Sequence, residues 1–352
     1  MESEEKLTFG QYAMHVLNGL AIGTVVALIP GALLGEIFKA LLDVFPQGQL
    51  VLNATSMADS SLGLIVGILI GLNFKFTPVQ SASLGLATFF AGGVVQFSEG
   101  VMTMGGTGDV INIGLTGAIG AAVILLIGDR LKAFTILLMP PILLLTAGVA
   151  GYLILPYVAL ITGLIGLFIE NLLKLQPILM SSLIAVTFSV LIASPVTTVG
   201  VALAVSLAGI GSGAGAIGVA SAALGYSILG WRVNELGVKL ALFLGGPKLM
   251  MPNVFKNPKI LIPVMSSAAL GGAMAPILNI QGTPYSAGFG ISGLVGPVNN
   301  LNLAPGGWSL KNIMITLLVF IIGPIVYGLI FRYVYTKLIP VVTEEDYHLT
   351  VE

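Results

Sequence analysis

From residue 279 to residue 300 the chain reads NIQGTPYSAGFGISGLVGPVNN, a stretch without a charged residue. Asn279, Gln281, Thr283, Tyr285, Ser286, Asn299 and Asn300 supply neutral donors and acceptors on both arms of a glycine-broken segment. Amides and hydroxyls beside an aromatic ring suit a polyhydroxylated neutral molecule such as a sugar, because such groups both give and accept hydrogen bonds. Gly282, Gly288, Gly290, Gly293 and Gly296 let backbone approach such a ligand closely. A plainer reading stands beside this one. Broken backbone in apolar surroundings leaves amides and carbonyls in need of partners, and the same side chains could serve only to satisfy them.

The carboxylates form a second set. A charge among apolar residues is costly and tends to mark function, which singles out Asp59, Glu99, Asp109 and Glu170. Asp59, in NATSMADSSLG, is either such a group or the N-cap of the helix that follows. Glu99 and Asp109 bracket SEGVMTMGGTGDVINIG, a second re-entrant piece or simply an exposed turn. GGTGD lacks the Lys-Ser/Thr of a phosphate loop, so no nucleotide is expected. The chain has no cysteine, which removes disulfides, thiolate nucleophiles and cysteine metal sites. His15 and His348 are the two histidines, both near the ends, so no histidine metal site or catalytic dyad is expected. The chain is thus expected to need no metal or cofactor and to be no enzyme by itself.

The elements that must position these groups are apolar. Hydrophobic residues make up 56% of the chain and charged ones 8%, with mean hydropathy +1.04, against roughly 25% charged in soluble domains. Several runs reach the ~20 apolar residues that span a bilayer. Nucleic acid is excluded as a partner by a net charge of −1 and the lack of a basic block. Helices are expected at roughly 14–33, 50–72, 77–97, 112–128, 139–164, 178–193, 195–212, 213–230, 260–280 and 309–332. Lys75, Arg130, Lys132, Arg232, Lys239, Lys248, Lys256, Lys259, Arg332 and Lys337 fall between or after these runs, whereas 46–60, 98–111 and 281–308 hold no Lys or Arg. Basic segments face the cytoplasm. That rule predicts an all-α polytopic protein of the cell membrane with about ten crossings and both termini cytoplasmic, and it requires 281–308 to enter and return on one side. The acidic MESEEKLTFGQ is not expected to be a removable signal.

A weak internal repeat runs through these helices. VVALIPGALLGEIFKALL (25–42) resembles YVALITGLIGLFIENLLK (157–174), and TPVQSASLGLATFFAGG (77–93) resembles SPVTTVGVALAVSLAGI (194–210), matching Pro78 to Pro195. Both units end in an arginine, Arg130 or Arg232, so the repeat is parallel. EIFKALLD and ENLLKL carry charges at helical spacing between apolar residues, as amphipathic interfacial helices do. The expected organisation is a tail (1–13), one transmembrane domain (14–338, with repeat units at about 14–130 and 146–232 and the hairpin at about 279–303) and a second tail (339–352).

PVTTVGVALAV, the GTPYSAGFGISGLVGPVNN hairpin and the ten-crossing pattern together resemble the IIC membrane component of bacterial phosphotransferase-system sugar transporters. The likeness is to the branch grouped with the perfringolysin O regulator, over about residues 10 to 340. The resemblance implies a homodimer with transport and scaffold domains, an elevator-like movement of sugar, and a separate IIB partner that phosphorylates it. There are departures. Sugar-specific members often place a glutamate in a G-I-x-E-P hairpin motif and use an intramembrane histidine. Here NIQGTP has Gln281, Gly282 and Thr283, and no such histidine exists. Phosphorylation would need separate IIA and IIB proteins. Two functions follow: a transporter of a sugar or similar neutral polar solute, or a membrane sensor that keeps the fold without phosphotransfer-coupled transport. Transport of a lipid or amphiphile is a third.

Overall fold

The structure is a computed structural model and describes residues 7–98, 101–244 and 246–349. Long apolar runs, free of internal charge, become helices. They are α1 (Phe9–Leu41), α2 (Gln49–Ser60), α3 (Leu62–Asn73), α4 (Pro78–Ala91), α5 (Val110–Ile127), α6 (Thr135–Leu143) and α7 (Val149–Leu172). Next come α8 (Pro177–Leu191), α9 (Thr198–Ala204), α10 (Gly209–Leu229), α11 (Leu236–Leu244), α12 (Met251–Lys256) and α13 (Leu261–Ile277). The chain closes with α14 (Pro284–Phe289), α15 (Val295–Leu303), α16 (Leu310–Leu317) and α17 (Gly323–Tyr333). Single π turns at Leu144–Gly148 and Leu318–Ile322 join α6 to α7 and α16 to α17. Among the described residues, six helical runs are long and apolar enough to cross a membrane, or seven if α2 and α3, bent by 51°, form one broken span.

Several boundaries differ from expectation. The run 77–97 stops at Ala91, where Gly92 and Gly93 (φ +75°) turn the chain into strand β1 (Val95–Ser98). This strand pairs antiparallel with β2 (Val101–Met104), Val95 opposite Met104, and Val101 and Met102 are exposed. The run 195–212 is not one helix. Pro195 starts a bend, α9 is short, and Ser206 (φ +47°) and Gly209 (φ +62°) turn the chain before α10. EIFKALLD and ENLLKL are the closing turns of α1 and α7 rather than separate interfacial elements.

The chain divides into two compact units: residues up to Leu28 with Ser56–Ala159, and Ile29–Thr55 with residues from Leu160 on. In the first, Gly63, Gly67 and Gly71 recur every fourth residue on α3 and face Thr88, Gly85 and Ser81 of α4. The Thr88 hydroxyl donates to the Gly63 carbonyl (2.7 Å). Small residues at this spacing let helix backbones close on one another, which is what holds helices together where the solvent is as apolar as they are. Asn112, fully buried on α5, donates to the carbonyls of Ala91 (2.7 Å) and Gly151 (3.0 Å), tying α4 and α7 to α5.

The second unit is built on α10, which is buried along almost its whole length, as expected of a helix apolar on every face. A Cβ at Gly218 would stand 2.1 Å from the Ala185 carbonyl of α8, and one at Gly272 of α13 would stand 2.5 Å from the Ser181 carbonyl, so these three helices touch backbone to backbone. The stretch expected as a C-terminal tail is fastened to this unit. Tyr347 is buried and donates to the Ile260 carbonyl (3.0 Å), and Asn234 donates to the Tyr347 carbonyl (2.8 Å) while accepting from the Leu349 amide (2.8 Å). Asn257 donates to the Asp346 carboxylate (2.9 Å), and Arg332 pairs with Glu344 (2.6 Å). Burial works against the Asp346 charge, but hydrogen bonds from Thr343 and Asn257 outweigh it and hold its carboxyl below the usual range.

Candidate functional site

The hairpin begins where α13 ends. Asn279 turns in the left-handed region (φ +53°), and Gly282 then pairs with Gly209 at the start of α10 through two backbone hydrogen bonds (2.9 and 3.0 Å). Thr283 caps α14: its hydroxyl accepts from the Ser286 amide (3.3 Å), while Ser286 Oγ accepts from the Thr283 amide (2.9 Å). Pro284 takes the first helical position, where its missing N–H costs nothing. Gly290 (φ +58°) ends α14, and its carbonyl accepts from the Gly296 amide (2.7 Å) at the start of α15. The result is two short helices folded back on each other, matching the break that the glycines indicate.

Two layers separate within the seven polar residues. Asn300 is buried: its carbonyl oxygen accepts from the Gln281 amide (2.9 Å) and its NH2 donates to Thr316 of α16 (2.8 Å). Asn299 accepts from the Thr283 hydroxyl (3.1 Å) and donates to the Val295 carbonyl (2.9 Å). Ser286 is buried in the cap, and Ser212 of α10 donates to the Thr283 carbonyl. These four hold backbone. Asn279, Gln281 and Tyr285 face outward: Gln281 donates to Asn279 (3.0 Å), and the Tyr285 ring lies beside Phe289 (4.8 Å between centroids) with the Lys39 ammonium 5.2 Å from its centre. Amide donors and acceptors thus stand next to an aromatic face.

Of the carboxylates, Asp59 and Asp109 belong to the first unit and Glu170 to the second. Asp109 is the N-cap of α5, accepting from the Asn112 amide (2.9 Å), a role the sequence reading did not assign to it. Asp59 lies inside α2, so it does not cap α3, whose N-cap is Ser61. Glu99 lies outside the described residues. Glu170 is exposed on α7.

Three residues at the hairpin were missed in the sequence. Ser212 and Thr198 sit beneath it, the Thr198 hydroxyl donating to the Gly288 carbonyl (2.9 Å). Lys248, which reads as one of a cluster of cytoplasmic lysines, is instead buried, its Nζ donating to the carbonyls of Ser194 (2.7 Å) and Val196 (2.9 Å). Thr198 and Ser212 lie in sequences of small residues that do not distinguish packing from contact, and a lysine in a basic run carries no mark of burial.

No curated protein matches the chain. The family model described as phosphotransferase system, EIIC, matches residues 14–349 and so takes in both units, the hairpin and the C-terminal clamp. With its apolar helices and broken hairpin, the chain belongs to the phosphotransferase-system EIIC family, the multi-pass transporters of that system in the plasma membrane.

Proposed function

We propose that the chain moves a sugar or similar neutral polar solute, held at the hairpin 279–300, by an elevator-like movement of one unit against the other. The outward layer of Asn279, Gln281 and Tyr285 carries this reading. The four inner polar residues hold the broken backbone, whereas the Gln281 and Asn279 side chains bond each other at the surface, where amides can exchange that bond for one to a solute. The hairpin is read as re-entrant within about ten crossings, with both termini in the cytoplasm, because Lys and Arg avoid 281–308. The division of the chain supports the repeat and the movement. The unit boundaries in α1 and α7 fall at VALI of 26–29 and VALI of 158–161, near Pro30 and Pro156, where a helix is weakest. A homodimer, and a separate IIB protein to phosphorylate the sugar, belong to the same proposal.

The absence of a carboxylate in NIQGTP favours the second reading, a sensor that keeps the fold without phosphotransfer-coupled transport. Equilibrium binding of a panel of neutral mono- and disaccharides to the purified protein tests the common ground. Saturable binding that weakens in Gln281→Leu supports the hairpin site, and failure of the whole panel removes it. Uptake of the bound sugar into vesicles, with and without IIB, then separates transport from sensing.

A further inference from the structure

Lys248 is the one buried charged side chain among the described residues. It stands on the turn Pro247–Met250, between α11 and α12, and no carboxylate faces it. Its two acceptors, Ser194 and Val196, flank Pro195 at the corner where α8 gives way to α9. Both carbonyls lie past the end of α8 at Leu191, in the bend before α9, and the Lys248 amine gives each a buried donor. The corner in turn meets the hairpin with no side chain as spacer: a Cβ at Gly288 would stand 2.4 Å from the Val199 nitrogen, and Thr198 donates to the Gly288 carbonyl. All of these residues lie in one unit.

We propose that Lys248 is a positioning residue for the solute hairpin: its two hydrogen bonds lock the α8–α9 corner, and the corner locks α14. The inference rests on reading the hairpin as the solute site, but its test uses no solute, so either idea can fail alone. Opening the corner brings the amine into water, where it takes up a proton. Burial alone lowers Lys248, from 10.5 to about 7. Of the neighbouring helices, α8 carries no titratable residue and α10 only Tyr226, while Lys239 of α11 and Lys256 of α12 are the charges on the other two, and none of them shifts it. The open state therefore binds the proton more tightly. Opening becomes easier as pH falls from the exposed value toward 7, by up to about tenfold per pH unit, and levels off below it.

Hydrogen–deuterium exchange on the full-length protein in detergent, between about pH 7 and 9.5 and corrected for intrinsic rates, reads this directly. Protection of 198–204 and 286–290 should rise together with pH, while α3 and α4 stay unchanged. Lys248→Met should abolish the pH dependence and lower protection of both segments at least about tenfold at pH 9, where the wild-type corner is closed. Lys248→Arg should also remove the pH dependence, because its charge does not titrate. Thr198→Val should loosen 286–290 while leaving the corner protected. A corner that loosens without α14, or a pH dependence that survives in Lys248→Met, overturns the proposal. If Lys248→Met does not fold, the wild-type profile with Thr198→Val decides the question.

Discussion

Gln281 and Asn300 meet across the hairpin, yet the two amides have opposite tasks. Asn300 is buried with both ends of its amide engaged, so Asn300→Leu leaves the Gln281 N–H and the Thr316 hydroxyl without partners. Each orphaned group costs about 1–3 kcal/mol. Asn300→Leu is expected to lower the thermal midpoint and the yield. Gln281→Leu removes only a side-chain bond to the exposed Asn279, so stability should stay within about 0.5 kcal/mol of wild type. Affinity for a bound sugar should fall by about 1–3 kcal/mol, since the ligand's groups then go unpaired. Equal loss of stability in both variants would return Gln281 to the structural layer. The neutral polar character of the hairpin was legible in its residue types, because amides, hydroxyls and two rings, Tyr285 and Phe289, stand in an uncharged break. Which amide faces inward was not, since Asn299, Asn300 and Gln281 read alike until α16 and the cap of α14 are placed around them.

Among the elements, the capped start of α14 went unread, although Thr283 followed by Pro284 carries a capping hydroxyl and a first-turn proline. The β-hairpin and the break at α9 could not be read. Val95–Met104 is flanked by Gly92, Gly93, Gly105 and Gly106, which suit a loop as well as a turn, and the 195–212 run keeps its apolar composition through the break, so hydropathy does not register it. Glycine spacing on α3 yields a prediction of its own. In Gly67→Ala the new Cβ would stand 2.0 Å from Thr88 Oγ1 and 2.7 Å from the Gly85 Cα, so α3 and α4 must move apart. Overpacking of this kind costs about 1–3 kcal/mol. A methyl group added at Gly163 on α7 would have no atom within 4 Å, and Gly163→Ala should be neutral or stabilise by up to about 1 kcal/mol. Thermal unfolding of the two variants in one detergent checks the contrast, and equal midpoints would show that the small-residue contact does not hold α3 to α4.

At the scale of the whole molecule, the distribution of lysine and arginine predicts an orientation that side-chain labelling can test. Because the native chain has no cysteine, a single introduced thiol reports its own side of the membrane. Lys248 is unsuitable because it is buried, whereas Lys256 and Lys259 are exposed. Lys256→Cys and Lys259→Cys should react with an impermeant maleimide only after the cells are permeabilised, since basic segments are retained in the cytoplasm. Met102→Cys, exposed in a segment without Lys or Arg, should react in intact cells. Trp308→Cys decides the hairpin. If α13 crosses and 281–308 enters and returns on one side, position 308, which is exposed, joins position 102 on the outside. If the hairpin crosses instead, position 308 moves to the cytoplasm and the C-terminal stretch, one crossing further on, ends outside, which would break its hydrogen bonds to Asn257 and Ile260. Labelling of Trp308→Cys in intact cells, with Lys256→Cys protected, is the expected pair. Protection of both would make the broken stretch a crossing, and its polar groups would then lie along a path through the membrane rather than in a pocket entered from one side.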